Sequence, residues 1–212
     1  MRYLAVFLFA GLVHGRGGLP ARSAPDSYPA QAQGRGFIVA AEVMSPEQVR
    51  NEFSTTLTPM YQVLEVAVFP AQGSTVDVIA LDFAVRVDGR LIRPAAPGTI
   101  AMRNQKKAAA GGKDVVLWPS AGVSTGTWGT GAGVGVGVGV ANGRPGPGST
   151  DRDRRTMESE LDDRGFQDAL LDKPAAGYLY FPVGETKSRT MELIYQYDKG
   201  EVRVPVDIPK TK

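Results

Sequence analysis

The chain has 212 residues, is 42% hydrophobic and carries a formal net charge of +2, with a single histidine and no cysteine. That apolar fraction suffices for one domain with a real core, and the near-balanced charge leaves no electrostatic footprint for DNA or RNA. The lack of cysteine excludes a disulfide framework and thiolate catalysis.

Arg2 precedes an apolar run over residues 3–13. The run is too short for a membrane span of roughly 20 residues, but it has the layout of a secretory signal peptide. Val13-His-Gly15 offers a cleavage position after Gly15. Ala30-Gln-Ala32 fits the small-residue motif better, at a greater distance from the run, and no cysteine follows to make a lipoprotein anchor. Residues 16–35, rich in Gly, Pro, Ala, Ser and Arg without periodicity, read as a flexible leader. Residues 1–32 are therefore expected to be signal peptide and leader, outside the fold; the alternative is a buried N-terminal strand. The only histidine, His14, falls within that leader. The mature chain would hold neither His nor Cys, which closes Ser-His-Asp and Cys-His catalysis and nearly all zinc, copper and haem sites.

Residues 37–44 form a candidate first strand. Ser45-Pro-Glu-Gln48 has a capping residue, Pro at the first helical position and Gln three after the cap, so a short helix is expected over 46–53. Its Glu47 and Arg50 read as solvent-facing. Residues 61–69, rich in β-branched and aromatic side chains and stopped by Pro70, are the next strand. Residues 76–87 follow as one strand, with Leu81, Phe83, Val85 and Val87 on one face and Asp82, Ala84 and Arg86 on the other. Asp88-Gly89 is a type I′ hairpin signal, and residues 90–94 pair back until Pro94, which cannot donate to a ladder.

Between Pro94 and Gly112 the pattern weakens, and Arg103, Lys106 and Lys107 form a small basic cluster suited to a solvated loop or helix face. Residues 115–119 read as a short apolar strand. From Val115 to Gly143 there is no charge, and residues 131–140 alternate Gly with a small apolar residue, mostly Val. On a strand this puts glycine on one face and the apolar side chains on the other. On a helix Gly131, Gly135, Gly139 and Gly143 would give small-xxx-small spacing, but a cost of roughly 1 kcal/mol per glycine opposes a helix in water. A loop or Gly/Val hairpin is expected, with membrane contact or self-association through residues 115–143 as the alternative. The spacing G-x-G-x-x-G is absent, and the phosphate-loop pattern ending at Gly112-Lys113 would need glycine where Lys107 stands.

Ser149, Thr150 or Asp151 can cap a helix over 152–163, and Phe166–Leu171 adds a second amphipathic turn or two. Asp151 and Asp153 begin like a calcium loop, but Arg155 and Thr156 occupy ligand and glycine positions. Asp162 and Asp163 read as a solvated helix end. Residues 178–183 and 190–197, joined by a polar loop, look like a closing hairpin. Lys199-Gly200 turns the chain into a last strand over 201–208, ahead of a lysine-bearing tail.

Three stretches, YQVLEVAVFP, VDVIALDFAVRVDGRLIRP and GYLYFPVGETKSRTMELIYQYDKGEVRVPV, resemble the telokin-like, immunoglobulin-like extracellular domains of bacterial exported proteins. The corresponding residues are Asp82, Phe83, Asp88 and Gly89, then Gly177, Leu179, Phe181, Pro182 and Val183. The resemblance covers about half of the mature chain, and that family carries no general activity to transfer. The glycine-rich insertion and the helical segment depart from its pattern.

Together these readings predict an all-β protein: an antiparallel Ig-like β-sandwich over residues 33–212, with a Gly/Val-rich insertion at 121–148 and a helical segment at 150–172. An α+β domain is the alternative. The expected function is a non-enzymatic exported module of the periplasm, cell envelope or secreted fraction. It would bind protein, peptide or cell-surface polymer through a sheet edge or loops. A structural envelope protein using its Gly/Val segment is a second reading, and a carboxylate-based hydrolase a third. No pair of acids stands out in the sequence as catalytic, and no cofactor or metal site is expected.

Overall fold

A computed structural model describes residues 18–57, 59–110, 122–124, 131–133, 150–198 and 200–209. The strands are β1 (Ala30–Gly34), β2 (Phe37–Val43), β3 (Gln62–Pro70), β4 (Val76–Val78), β5 (Phe83–Val87), β6 (Arg90–Ile92), β7 (Gly122–Ser124), β8 (Gly131–Gly133), β9 (Ala169–Leu171), β10 (Ala175–Phe181), β11 (Thr190–Tyr197) and β12 (Gly200–Asp207). The helices are α1 (Pro46–Glu52), α2 (Pro97–Ala109) and α3 (Asp151–Arg164). Two four-stranded sheets, ordered β1-β2-β3-β10 and β12-β11-β5-β6, share one core, and β4-β9 and β7-β8 form separate ribbons. Every strand pair is antiparallel. The protein is thus β-rich with a helical layer.

The first sheet is covered on both faces. Val39, Ala41, Leu64, Val66, Leu179 and Phe181 meet Phe83, Val85, Leu193, Tyr195 and Val204 of the second sheet in the main core. On the opposite face Tyr61, Val63, Tyr178 and Tyr180 carry α1, α2 and α3 through Val49, Phe53, Ile100 and Leu161. Farther along that face, Ala40, Ala67, Phe69 and Ala176 lie under Leu19, Ala21 and Tyr28. Burial on both faces explains why residues 61–69 are apolar almost without alternation, whereas β12 alternates strictly between exposed and buried residues.

Several sequence expectations hold locally. Ser45 accepts from the Gln48 N–H, and the Gln48 side chain accepts from the Ser45 N–H, so α1 starts on a complete capping box. Thr150 caps α3 in the same reciprocal way with Asp153. Asp88 and Gly89 have φ of 49° and 75°, as a type I′ turn requires. Arg103, Lys106 and Lys107 lie on a helix, α2.

Others are corrected. Residues 178–183 and 190–197 do not form a hairpin: β10 pairs with β3 and β11 with β5 and β12, so the connection crosses from one sheet to the other. β10 is buried from Ala176 to Phe181 and fits only the sheet covered on both sides. The strand expected over 76–87 breaks at a 3-10 turn over Ala80–Asp82, where the Asp168 carboxylate accepts the Ala80 N–H at 2.7 Å. Leu81, expected on the same face as Phe83, Val85 and Val87, is 57% exposed as a result, whereas those three are buried. The second helical turn expected at Phe166–Leu171 is instead β9, paired with β4. Gly165 ends the helix there by turning extended, at φ −66° and ψ 154°. Pro94–Gly112 contains the 13-residue α2.

The largest correction concerns the leader. Residues 18–34 belong to the frame: Leu19 N–H bonds Ala176 O at 2.8 Å, and β1 pairs with β2 over five residues. The strand expected over 115–119, the Gly/Val stretch beyond Gly133 and the lysines after Pro209 lie outside the described residues.

Phe181 is fully buried and Leu170 is 68% exposed. Phe181→Ala is expected to destabilise the protein by about 3–5 kcal/mol, and Leu170→Ala by no more than about 0.5 kcal/mol. Denaturant midpoints of the two variants against the parent provide the check; equal midpoints would contradict this arrangement of the core.

Candidate functional site

A cleft of about 550 Å3 opens where α1, the start of β3, the connection between the two sheets and the end of β12 meet. Its lining is apolar at Met44, Val49, Tyr61, Val63, Ile208 and Pro209. Among the described residues its cations are Arg50, Lys187 and Arg189, and Glu185 is the one acid lining it. All four charged side chains are exposed, and among the described residues none of the three cations is held in an ion pair.

The connection over residues 184–189 is fixed by hydrogen bonds. Gly184, at φ +70°, donates its N–H to Met60 O at 3.1 Å. The Thr186 hydroxyl donates to Asp88 at 2.7 Å, the Ser188 hydroxyl donates to the other Asp88 oxygen, and Ile208 N–H bonds Arg189 O at 2.8 Å. Thr186 and Ser188 therefore turn toward the β5–β6 turn, and Glu185, Lys187 and Arg189, one residue out of phase, are exposed. The Ser188 and Thr186 hydroxyls hold the Asp88 carboxyl below its ordinary value. Asp88 thus both makes a left-handed turn and anchors the loop that carries two of the three cations.

The acids that converge elsewhere serve the frame. Glu42 and Glu65 face each other across β2 and β3, a repulsive cross-strand pair on its own. Arg22 resolves it, donating through Nε and Nη2 to Glu65 at 3.2 and 2.6 Å and through Nη2 to Glu42, with its guanidinium 4.3 Å from the Tyr28 ring centroid. Burial opposes the charged guanidinium, but the two carboxylates outweigh it and hold it protonated. Burial also pushes the Tyr28 hydroxyl up to about 12. The Glu160 carboxylate of α3 accepts the N–H of Ser54 at 2.6 Å, the N–H of Thr55 at 2.9 Å and both hydroxyls, latching the helical layer to the segment after α1.

Asp162 and Asp163 stand at the exposed end of α3, as read from the sequence. Asp151 and Asp153 begin α3, where Asp153 completes the cap. Among the described residues no group of three or more His, Cys, Asp or Glu comes together as a metal site. Arg50, read from the sequence only as solvent-facing, is exposed and lines the cleft; Lys187 and Arg189 were not singled out at all. Comparison with protein families, with curated proteins and with solved structures finds no match.

Burial raises the pKa of Glu160, but the hydrogen bonds from Thr55 and Ser54 outweigh it and leave the group below its ordinary value. A depressed folded value means that its stabilisation is present above the unfolded pKa of about 4.3 and is lost as pH falls through the folded value. Glu160→Gln should therefore lower the melting temperature near neutral pH and flatten its decline below about pH 5. Parallel melting curves for parent and variant across that range would refute this role.

Proposed function

We propose that the protein is an exported, non-enzymatic binding module of Ig-like sandwich type whose cleft takes an extended anionic ligand, an acidic peptide or an acidic cell-surface polymer. The observation that carries this reading is the set of three cations without ion pairs, Arg50, Lys187 and Arg189, over an apolar floor. The fold part is supported by the two facing antiparallel sheets and by the resemblance of the 61–70, 76–94 and 177–206 stretches to exported Ig-like domains. Gly177 of that motif has a local cause: a Cβ there would lie 2.4 Å from the Phe166 Cα, where the chain crosses the edge of β10. A binding role suits the cleft better than glycoside hydrolysis, which uses two carboxyl groups flanking the bond, whereas Glu185 is the one acid in the lining among the described residues.

Exposed ion pairs contribute about 0.2–1 kcal/mol each. Met44, Val49, Tyr61 and Val63 are already buried beneath the cleft, so affinity depends on the three cations acting together, and they set the selectivity for charge. The charge reversal Arg50→Glu, Lys187→Glu, Arg189→Glu should weaken binding of a polyglutamate peptide at least tenfold. Raising the salt from about 0.05 to 0.5 M should weaken the parent's binding through screening. Titration calorimetry with both proteins is the test, and equal affinities would remove the cleft from consideration.

A second reading rests on the helical layer. α2 and α3 run antiparallel, with Gln105 near the end of α2 bonded to Asp151 at the start of α3 at 3.1 Å. Ala110 and Thr150, which flank the stretch that is uncharged from Val115 to Gly143, thus stand at one end of a helical hairpin. Such an arrangement suits a structural envelope protein that offers this segment to a membrane or to another copy. Flotation with anionic lipid vesicles should then be lost on deleting residues 121–148; vesicle binding that survives the deletion would exclude the membrane form of this reading.

A further inference from the structure

Two cleavage positions compete in the sequence, after Gly15 and after Ala32, and the fold discriminates between them. A cut after Ala32 would remove an element that several separate contacts build into the frame. Gly18 N–H bonds Asp163 O, and Leu19 N–H bonds Ala176 O, both at 2.8 Å. Arg22 neutralises the facing Glu42 and Glu65. Tyr28 is buried against Phe69, with ring centroids 6.0 Å apart. Ala30 and Ala32 pair with Ala41 and Val39 and pack on the main core. Ala30-Gln-Ala32 has the composition of a cleavage motif, but its small residues are explained by their place in β1.

Upstream of Gly18 none of these contacts is at stake. Val13 and Gly15 stand three residues and one residue before the Gly15–Arg16 bond, just after the apolar run.

We infer that a membrane-bound leader peptidase hydrolyses the Gly15–Arg16 bond and that residues 18–34 are kept as a strap across the first sheet. Water adds across the amide, leaving a carboxylate on Gly15 and an ammonium group on Arg16. This inference rests on the export part of the proposed function.

The test is N-terminal sequencing and intact mass of the full chain, expressed with its leader in a Gram-negative host and recovered from periplasm and cytosol separately. The expected result is a periplasmic protein beginning Arg-Gly-Gly-Leu-Pro; a start at residue 17 or 18 overturns the assigned bond while leaving the strap in place. A periplasmic protein beginning at residue 19 or later, or at Met1, overturns the inference and leaves export standing. Recovery only from the cytosol with Met1 intact overturns export, and this inference with it. Two chains made without the leader give an independent readout. The one starting at Gly18 should unfold cooperatively like the processed protein, and the one starting at Gln33 should lose that transition. If the two unfold alike, the strap is dispensable and the inference falls.

Discussion

The constraint on which this structure depends is that its first sheet is apolar on both faces. β2, β3 and β10 satisfy their backbone groups sideways, and their side chains then have to be covered twice. One face is closed by the second sheet, which can afford solvent on its far side and so keeps the simple alternation of β12. The other face needs separate covers, and the chain supplies two kinds. Three helices lie over the Tyr178 and Tyr180 end, and the N-terminal strap lies over the Ala40, Ala67 and Phe69 end. The helical layer follows from that second face, and so does the ordering of the segment before β1.

Polar chemistry fastens these covers at a few points. Arg22 holds the strap down by neutralising two glutamates that would otherwise repel, and Glu160 holds the helices down by accepting backbone and hydroxyl donors from Ser54 and Thr55. The Tyr180 hydroxyl adds a donor to Leu161 O at 2.9 Å, and burial drives its pKa upward, so it remains a neutral donor. Each fastening joins groups far apart in sequence, so its parts carry no local signature.

That distinction separates what was legible in the sequence from what was not. Capping at Ser45 and Thr150 and the Asp88-Gly89 turn were readable because each is decided by neighbours within three residues. β12 was readable because one wet face imposes a period of two from Glu201 onward. α2 was missed because only Ile100 and Ala101 are buried along it, too narrow a stripe to register. The partners of β10 and β11 were misassigned because alternation reports which face is buried and not which strand lies alongside. The strap was misread because its contacts run through small residues and one arginine, whose meaning depends on Glu42 and Glu65. The candidate cleft was invisible for the same reason: its lining comes from residues 44–63, 184–189 and 208–209, and Arg50, Lys187 and Arg189 are ordinary surface cations until the fold sets them around one hollow.

The pairing of Gln105 with Asp151 has a wider consequence. A segment that leaves and re-enters a domain at one point exerts little leverage on it, because closing a longer loop costs only about 0.6 kcal/mol for each doubling of its length. The hairpin of α2 and α3 therefore works as a socket, fixing where the chain leaves at Ala110 and where it returns at Thr150. By that measure, lengthening the chain between Ala110 and Thr150 costs the fold little in closure entropy, which makes this the natural place to graft a foreign peptide for display.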